Sequence, residues 1–427
     1  MPIIEKDILD RVGSGELNPL NREKKLLLPS YDGCGLANLT PTAAYWLGAG
    51  HLPAPIFDKS ILDHFQDRYQ NVVVILADAL GYNQLRRLMD EGKAPLWNKQ
   101  LERGMLFPIT SISPSTTASA LTTIWTGTTP NQHGVIGYEM WHKELGLIMN
   151  NILHTPITYK GDVGGLTKAG FEPTHFMNQV PLGQRFSNFG VESHSFLPGS
   201  IANSGLSQMH LPGSILHSYV AESDLFLNLR DLLNSPSKHR RFMYVYWSDV
   251  DSLMHRYGTY NDRVTEQFFD FSSALFRLLV DGLDASVCRN SLILLTADHG
   301  SVETPVDERF NLANHPELTG MLTMAPTCEG RLPFFYVKQG QCDAVKVYFD
   351  QTWPGEFDFL TRQQVLDSNL LGNGQNHPDL EDRIGDLVAI PLGKEYLWWP
   401  DRPNTMLGRH GGLHIDEMLV PLFSLGL

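Results

Sequence analysis

The sequence predicts an α/β protein with a mostly parallel central sheet and helices on both faces. Three observations carry this. First, the runs VVVILA (72–77), FMYVYW (242–247) and SLILLTA (291–297) are short, apolar and bounded by turn residues. That pattern reads as buried strands of a parallel sheet. Second, helical periodicity lies between them. Asn83 to Met89 (NQLRRLM) continues helically after the Gly81 turn, and Asn261 to Leu279 puts Phe268, Phe271, Leu275 and Leu278 on one face. Third, two of the runs end in polar residues, the first in Asp78 and the last in Asp298-His299-Gly300. Ligands of open α/β sheets bind beyond the carboxyl ends of the strands. Carboxylate and imidazole placed there point to a metal site.

Taken in order, residues 1 to 70 carry turn signals (Gly13, Gly15, Pro19, Pro29, Gly33, Gly35) and are expected to wrap the core before its first long strand. Residues 72 to 127 read strand, helix, loop, helix. Residues 130–240, rich in Gly, Pro, His and Asn, read partly as an insertion over the site. Residues 301–385 hold Pro305, Pro316, Pro326 and Pro333, then the strand-like FFYV (334–337), and suggest a second insertion. Strand and helix alternation is expected to resume near Asp386. The whole chain, 1–427, is thus expected to form one catalytic domain, with 130–240 and 301–385 forming a cap over the metal site.

The formal charge of −14 argues against binding polymeric nucleic acid, which needs a basic surface. It leaves room for small phosphorylated substrates, because bound dications reverse the local field. Cys34, Cys288, Cys328 and Cys342 are scattered without CxxC spacing and read as buried or incidental thiols. The N-terminus MPIIEKDILDRVG has no apolar h-region. No stretch approaches the ~20 apolar residues of a membrane helix. A cytoplasmic location without a membrane span is the resulting expectation.

Three further segments carry chemistry. Ser115-Thr116-Thr117-Ala118 opens the apolar stretch ALTTIWTG. Its hydroxyls either cap and turn a helix, or one of them is a nucleophile at the helix N-terminus, where free N–H groups favour a phosphate. In DSLMHRYG, Asp251 and His255 are four apart and can share one ion on a helical turn, with Asp249 as a competitor. In Gly408-Arg409-His410-Gly411-Gly412 the glycines allow close approach of backbone and ligand, and His414 is an alternative to His410.

Together these segments resemble the alkaline phosphatase superfamily, closest to its nucleotide pyrophosphatase/phosphodiesterase branch, which also includes phosphonoacetate hydrolases. STTASALTTIWTGTTPNQHGVIG looks like the family's nucleophile segment, DSLMHRYG like its D-x-x-x-H-x-x-G, TADHG like its S/T-D-H-G, and RHGGLHIDEMLVPL like its late HGG ending. The resemblance runs from about Leu28 to Leu427. It implies Thr117 as nucleophile and two Zn²⁺ ions. One ion would lie on Asp78, Thr117, Asp298 and His299, the other on Asp251, His255 and His410. Oxygen and nitrogen donors of this kind suit Zn²⁺, with Mn²⁺ or another dication as a substitute. Threonine is a poor nucleophile at neutral pH, and a dication lowers its hydroxyl pKa. The implied chemistry is attack by Thr117, a covalent phosphothreonine, hydrolysis of that intermediate by water, and net retention at phosphorus.

One departure concerns the substrate. Where the diesterase branch places an Asn after the H-G-I/V segment, HGVIGYEMW has Tyr138, a tentative substrate-binding residue, with Asn150 and Asn151 farther along. Arg256, Arg331 and Arg409 stand near motifs without forming a recognisable monoester clamp. The expected activity is hydrolysis of a phosphodiester or nucleotide pyrophosphate bond in a small substrate, a nucleotide among the candidates. Phosphonate hydrolysis, monoester hydrolysis and phosphoryl mutation are the alternatives on the same site. A noncatalytic, metal-stabilised module is a third reading, opposed by the joint presence of Thr117 and the ligand set. Glu303, Asp307 and Glu308 are expected in a solvated loop, Tyr396, Trp398 and Trp399 in packing, and His133 in a structural role.

Overall fold

The structure is a computed structural model that describes residues 8–9, 26–158 and 164–427. The turn signals at Gly13, Gly15 and Pro19 lie outside the described residues. A seven-stranded central sheet is built from β1 (Asn71–Ala77), β2 (Met105–Thr110), β3 (Val191–Pro198), β4 (Ser214–Tyr219), β5 (Arg240–Trp247), β6 (Ser291–Thr296) and β7 (Leu419–Ser424), in the order β2-β7-β6-β1-β5-β3-β4. β6, β1, β5, β3 and β4 run parallel, while β7 runs antiparallel to both β6 and β2. Every residue of β1 and β6 is buried, which is why these strands read as unbroken apolar runs. Helices flank the sheet. One of them, Asp262–Ala274, buries Phe268 and Phe271, and Phe271 stacks on Trp247 of β5 with ring centroids 3.9 Å apart. Among the described residues no helix is long and apolar enough to cross a membrane.

A second seven-stranded sheet is antiparallel, in the order 357–361, 387–391, 332–335, 327–329, 139–142, 147–150, 155–156. Phe335, Phe349, Trp353, Phe357 and Tyr396 form a separate core on it. Thus residues 139–156 from the first expected insertion and 327–361 from the second share one sheet with 387–391, which lies just beyond the second. The rest of 130–240 behaves differently, because β3 and β4 lie in the central sheet.

Two readings of the chain need correction. The loop expected between helices after β1 contains β2, whose Pro108 interrupts the strand signal. Pro108 is tolerated because β2 is an edge strand. The alternation expected to resume near Asp386 does not return to the parallel sheet. Leu387–Pro391 pairs antiparallel with Phe357–Thr361 and Leu332–Phe335, and only β7 rejoins the central sheet.

Candidate active site

Strand register brings the site residues together. β1 lies between β6 and β5, with Leu76 opposite Thr296 and Ala77 opposite Trp247. Asp78 therefore leaves the sheet at the same level as Asp298-His299 on one side and the Asp249–Tyr257 helix on the other. The turns beyond the strands pack backbone on backbone. A Cβ on Gly300 would sit 2.0 Å from the Asp416 carbonyl oxygen and 3.0 Å from the Gly81 Cα. Only glycine fits there.

Asp78, Asp298 and His299 are buried, and one ligand-type atom from each lies within 4.8 Å of the others. Asp251, His299 and His410 form a second such group. His299 Nε2 is 3.4 Å from Asp78 Oδ1, 3.4 Å from Asp298 Oδ2 and 3.2 Å from Thr117 Oγ1. His255 Nε2 is 3.3 Å from Asp251 Oδ1, and His410 Nε2 is 3.9 Å from the same oxygen. The His299 and His410 rings stack with centroids 3.7 Å apart, so the two groups adjoin.

The three imidazoles are held alike. His255 Nδ1 faces the Gly408 carbonyl at 2.8 Å, His299 Nδ1 the Gly300 carbonyl at 3.0 Å, and His410 Nδ1 the Ser115 carbonyl at 3.1 Å. Each carbonyl fixes the proton on Nδ1 and leaves the Nε2 lone pair directed at the acidic cluster. Burial, followed by the charges of Asp298 and Asp251, pushes the Asp78 carboxyl well above its ordinary range. Burial likewise raises Asp298, while His299 pulls it back. His410 is driven well below the usual histidine range by burial and by its two histidine neighbours. Asp78 Oδ1 and Asp298 Oδ2 are buried without any hydrogen-bond donor. Buried lone pairs that converge without donors are costly alone and suit a dication of borderline softness.

The three hydroxyls that sequence left open take different positions. Ser115 Oγ donates to the Gly412 carbonyl at 2.8 Å and ties the helix entry to the HGG segment. Thr116, the N-cap of the Thr117–Thr126 helix, donates to Glu329 Oε1 at 2.5 Å. Thr117 is the first residue of that helix and faces His299. Asp249 is exposed and accepts from Gln267, outside the cluster. His414 caps the Ile415–Met418 helix.

Two residues near the centre escape a reading of motifs. Tyr246, at the carboxyl end of β5, donates from its hydroxyl to Asp78 Oδ2. Its one sequence signal is that position on the strand. Glu329 comes from an irregular stretch without periodicity, and burial pushes its carboxyl up to about 8. Both Thr117 and Asp251 border a cavity of ≈ 450 Å³ whose walls include Tyr138, Glu139, Glu329, Trp398, Trp399 and Arg402. Asn150 accepts from the Ile152 and Leu153 amides, whereas Asn151 donates to the Gly137 carbonyl.

The remaining polar candidates are committed elsewhere. Arg331 is buried against Glu417 at 2.7 Å. Arg409 bonds Thr304 and Asn404 and lies under the Tyr396 ring. Arg256 is exposed beside Tyr257. Glu303 accepts from the Thr259 amide, Asp307 pairs with Arg309, and Glu308 accepts from Asn311. His133 joins Thr123 to the Val135 amide.

A family model described as type I phosphodiesterase / nucleotide pyrophosphatase matches residues 72–413. A search of curated proteins finds no match. Among solved structures, murine ectonucleotide pyrophosphatase / phosphodiesterase 5 superposes with a TM-score of 0.61 at 16% identity, over 83% of this chain and 88% of that one. An inactive threonine-to-alanine variant of the murine protein, in complex with AMP, gives a TM-score of 0.60 at 16% identity, over 82% and 87%. Phosphonoacetate hydrolase from Sinorhizobium meliloti 1021, in complex with phosphonoformate, gives 0.60 at 19% identity, over 82% and 89%. At these identities the structural likeness concerns the fold.

Proposed function

The chain belongs to the type I phosphodiesterase / nucleotide pyrophosphatase family and is a phosphoryl hydrolase, and from that premise we propose that it cleaves phosphodiester or pyrophosphate bonds with Thr117 as nucleophile. Asp78, Thr117, Asp298 and His299 would hold one divalent cation, and Asp251, His255 and His410 a second, with Zn²⁺ the ion the donor set suits best. When bound, such ions lower the pKa of a hydroxyl they contact and neutralise charge on a phosphoryl group. The observation that carries the proposal is the convergence of Thr117 Oγ1, three Nε2 lone pairs and donor-free Asp78 and Asp298 oxygens.

Thr117 Oγ1 attacks phosphorus, the bond to the leaving oxygen breaks, and a phosphothreonine forms. Water then attacks the same phosphorus and restores the threonine. Two inversions leave the configuration retained. With Thr117 at a helix N-terminus, backbone amides of the first turn would donate to the phosphoryl oxygens. The loss of activity in the AMP-bound threonine-to-alanine variant of the murine protein supports a threonine in this role and a nucleotide as a substrate.

The cavity walls favour a diester over a monoester. Glu139 and Glu329 line the cavity with Arg402 and Arg409, but the Arg409 guanidinium is already bonded to Thr304 and Asn404, and Arg331 is buried against Glu417. A dianionic monoester would thus meet two carboxyl groups against the single guanidinium of Arg402, which lies over the Trp398 ring. The phosphonoacetate hydrolase likeness keeps phosphonate hydrolysis as the second reading.

The test compares a chromogenic phosphodiester with the matching monoester on Zn²⁺-loaded protein. The expected result is diester preference, with Thr117→Ala reducing turnover by about 10³-fold or more while metal is retained. Full activity in Thr117→Ala would overturn the nucleophile. Preference for the monoester would overturn the diester assignment.

A further inference from the structure

Thr117 and Asp251 border a second cavity besides the large one. Its volume is ≈ 200 Å³, and its walls include Leu121, Trp125, Ile201, Leu206, Leu211 and Tyr244. Thr117, Ile152 and Asp251 line both cavities. The reactive hydroxyl therefore stands where two chambers of different chemistry meet.

The contrast between them is one of charge. The larger chamber presents Glu139, Glu329 and Arg402 together with Trp398 and Trp399. In the smaller one Asp251 is the one acidic residue among the lining residues, and no lysine or arginine joins it. His210, also on its wall, is bonded to Thr122 and stacked on Trp125. The Tyr244 hydroxyl is buried there without a hydrogen-bond partner. Leucine, isoleucine and tryptophan side chains make up much of this wall, and Ser204, Ser207, Ser248 and Ser252 add hydroxyls to it, so it disfavours charged groups, rewards apolar area, and can donate to an ether, ester or hydroxyl oxygen.

A phosphodiester carries two substituents on one phosphorus, which leave it in different directions. A monoester or a simple phosphonate carries one. We propose that the smaller chamber receives an uncharged, mainly apolar substituent of an asymmetric phosphodiester, with the other substituent in the larger chamber. This assignment rests on the phosphodiesterase reading given above.

The test is a series of 4-nitrophenyl alkyl phosphates, from methyl to hexyl, on the Zn²⁺-loaded enzyme. The expected kcat/KM rises by about fourfold per added methylene, the transfer value for a buried CH₂, until the chamber is full. Leu206→Trp and Ile201→Phe, which fill it from two sides, should each return the hexyl-to-methyl ratio toward one. Calorimetric binding of dihexyl against dimethyl phosphate to the Thr117→Ala protein should give the same ranking without turnover. A flat or falling series with clear diester turnover would overturn the chamber assignment and leave the phosphodiesterase reading intact. Absence of turnover on every diester would overturn the reading on which the assignment rests.

Discussion

Asp78 is held by unlike neighbours. Its Oδ2 accepts from Tyr246, and its Oδ1 is buried without a donor. The phenol thus orients the carboxylate and leaves one oxygen for a cation. Partners that orient a ligand in this way tune metal affinity by about 10–100-fold. Tyr246→Phe is accordingly expected to weaken divalent-ion binding by that factor, read by metal titration of the purified protein. Unchanged affinity would mean that strand β5 alone fixes the carboxylate. The convergence of Asp78, Asp298, His299, Asp251, His255 and His410 was legible in the sequence, because each stands in a short motif or at the end of an apolar run. Tyr246 and Glu329 were not, because their roles arise from contacts with Asp78 and Thr116 across 168 and 213 residues of chain. Tyr138 was legible as a departure from a pattern, and the structure places it on the wall of the larger cavity.

Among elements, the strand ends depend on the approach of the Gly81 and Gly300 turns. A methyl at position 300 would strike the Asp416 carbonyl, and backbone cannot rotate aside as a side chain does. Gly300→Ala is expected to cost about 1–3 kcal/mol, the usual range for overpacking, and to lower the melting temperature. An unchanged melting temperature would show that the 415–418 turn yields freely. The fully buried strands were legible because burial on both faces erases alternation. β2 was not, since Pro108 mimics a loop and only its edge position and its pairing with β7 explain it. The antiparallel sheet was seen in fragments, because its strands come from two stretches of sequence far apart.

Over the whole molecule, the distribution of buried histidine sets the acid limit. His154, His210 and His377 are buried, and burial drives their pKa to about 4, 3 and 4. Below the ordinary value of 6.5 the unfolded chain takes up these protons and the folded chain does not. Stability supplied by the neutral imidazoles is therefore present above pH 6.5 and lost as pH falls toward about 4, at about 1.4 kcal/mol per pH unit for each. The carboxyls of Asp78, Asp298 and Glu329, held above their ordinary range, work in the opposite sense, so a difference measurement is needed. Both His154 nitrogens lack partners, and its φ of 52° suits asparagine. His154→Asn should flatten denaturant stability against pH by that one-histidine slope between pH 6.5 and 4. Parallel curves for the two proteins would contradict the neutral state of His154. β7 is also a feature of the whole molecule. It follows His410 in sequence, yet it lies inside the sheet between β2 and β6. During synthesis, every residue from Asp78 to His410 leaves the ribosome before this strand can insert. Until then β2 and β6 present unpaired edges, a template for association with other chains. A chain that has not yet emerged beyond Ser424 therefore keeps these two edges open to other chains, and closing the sheet waits on a strand that follows every candidate site residue in sequence.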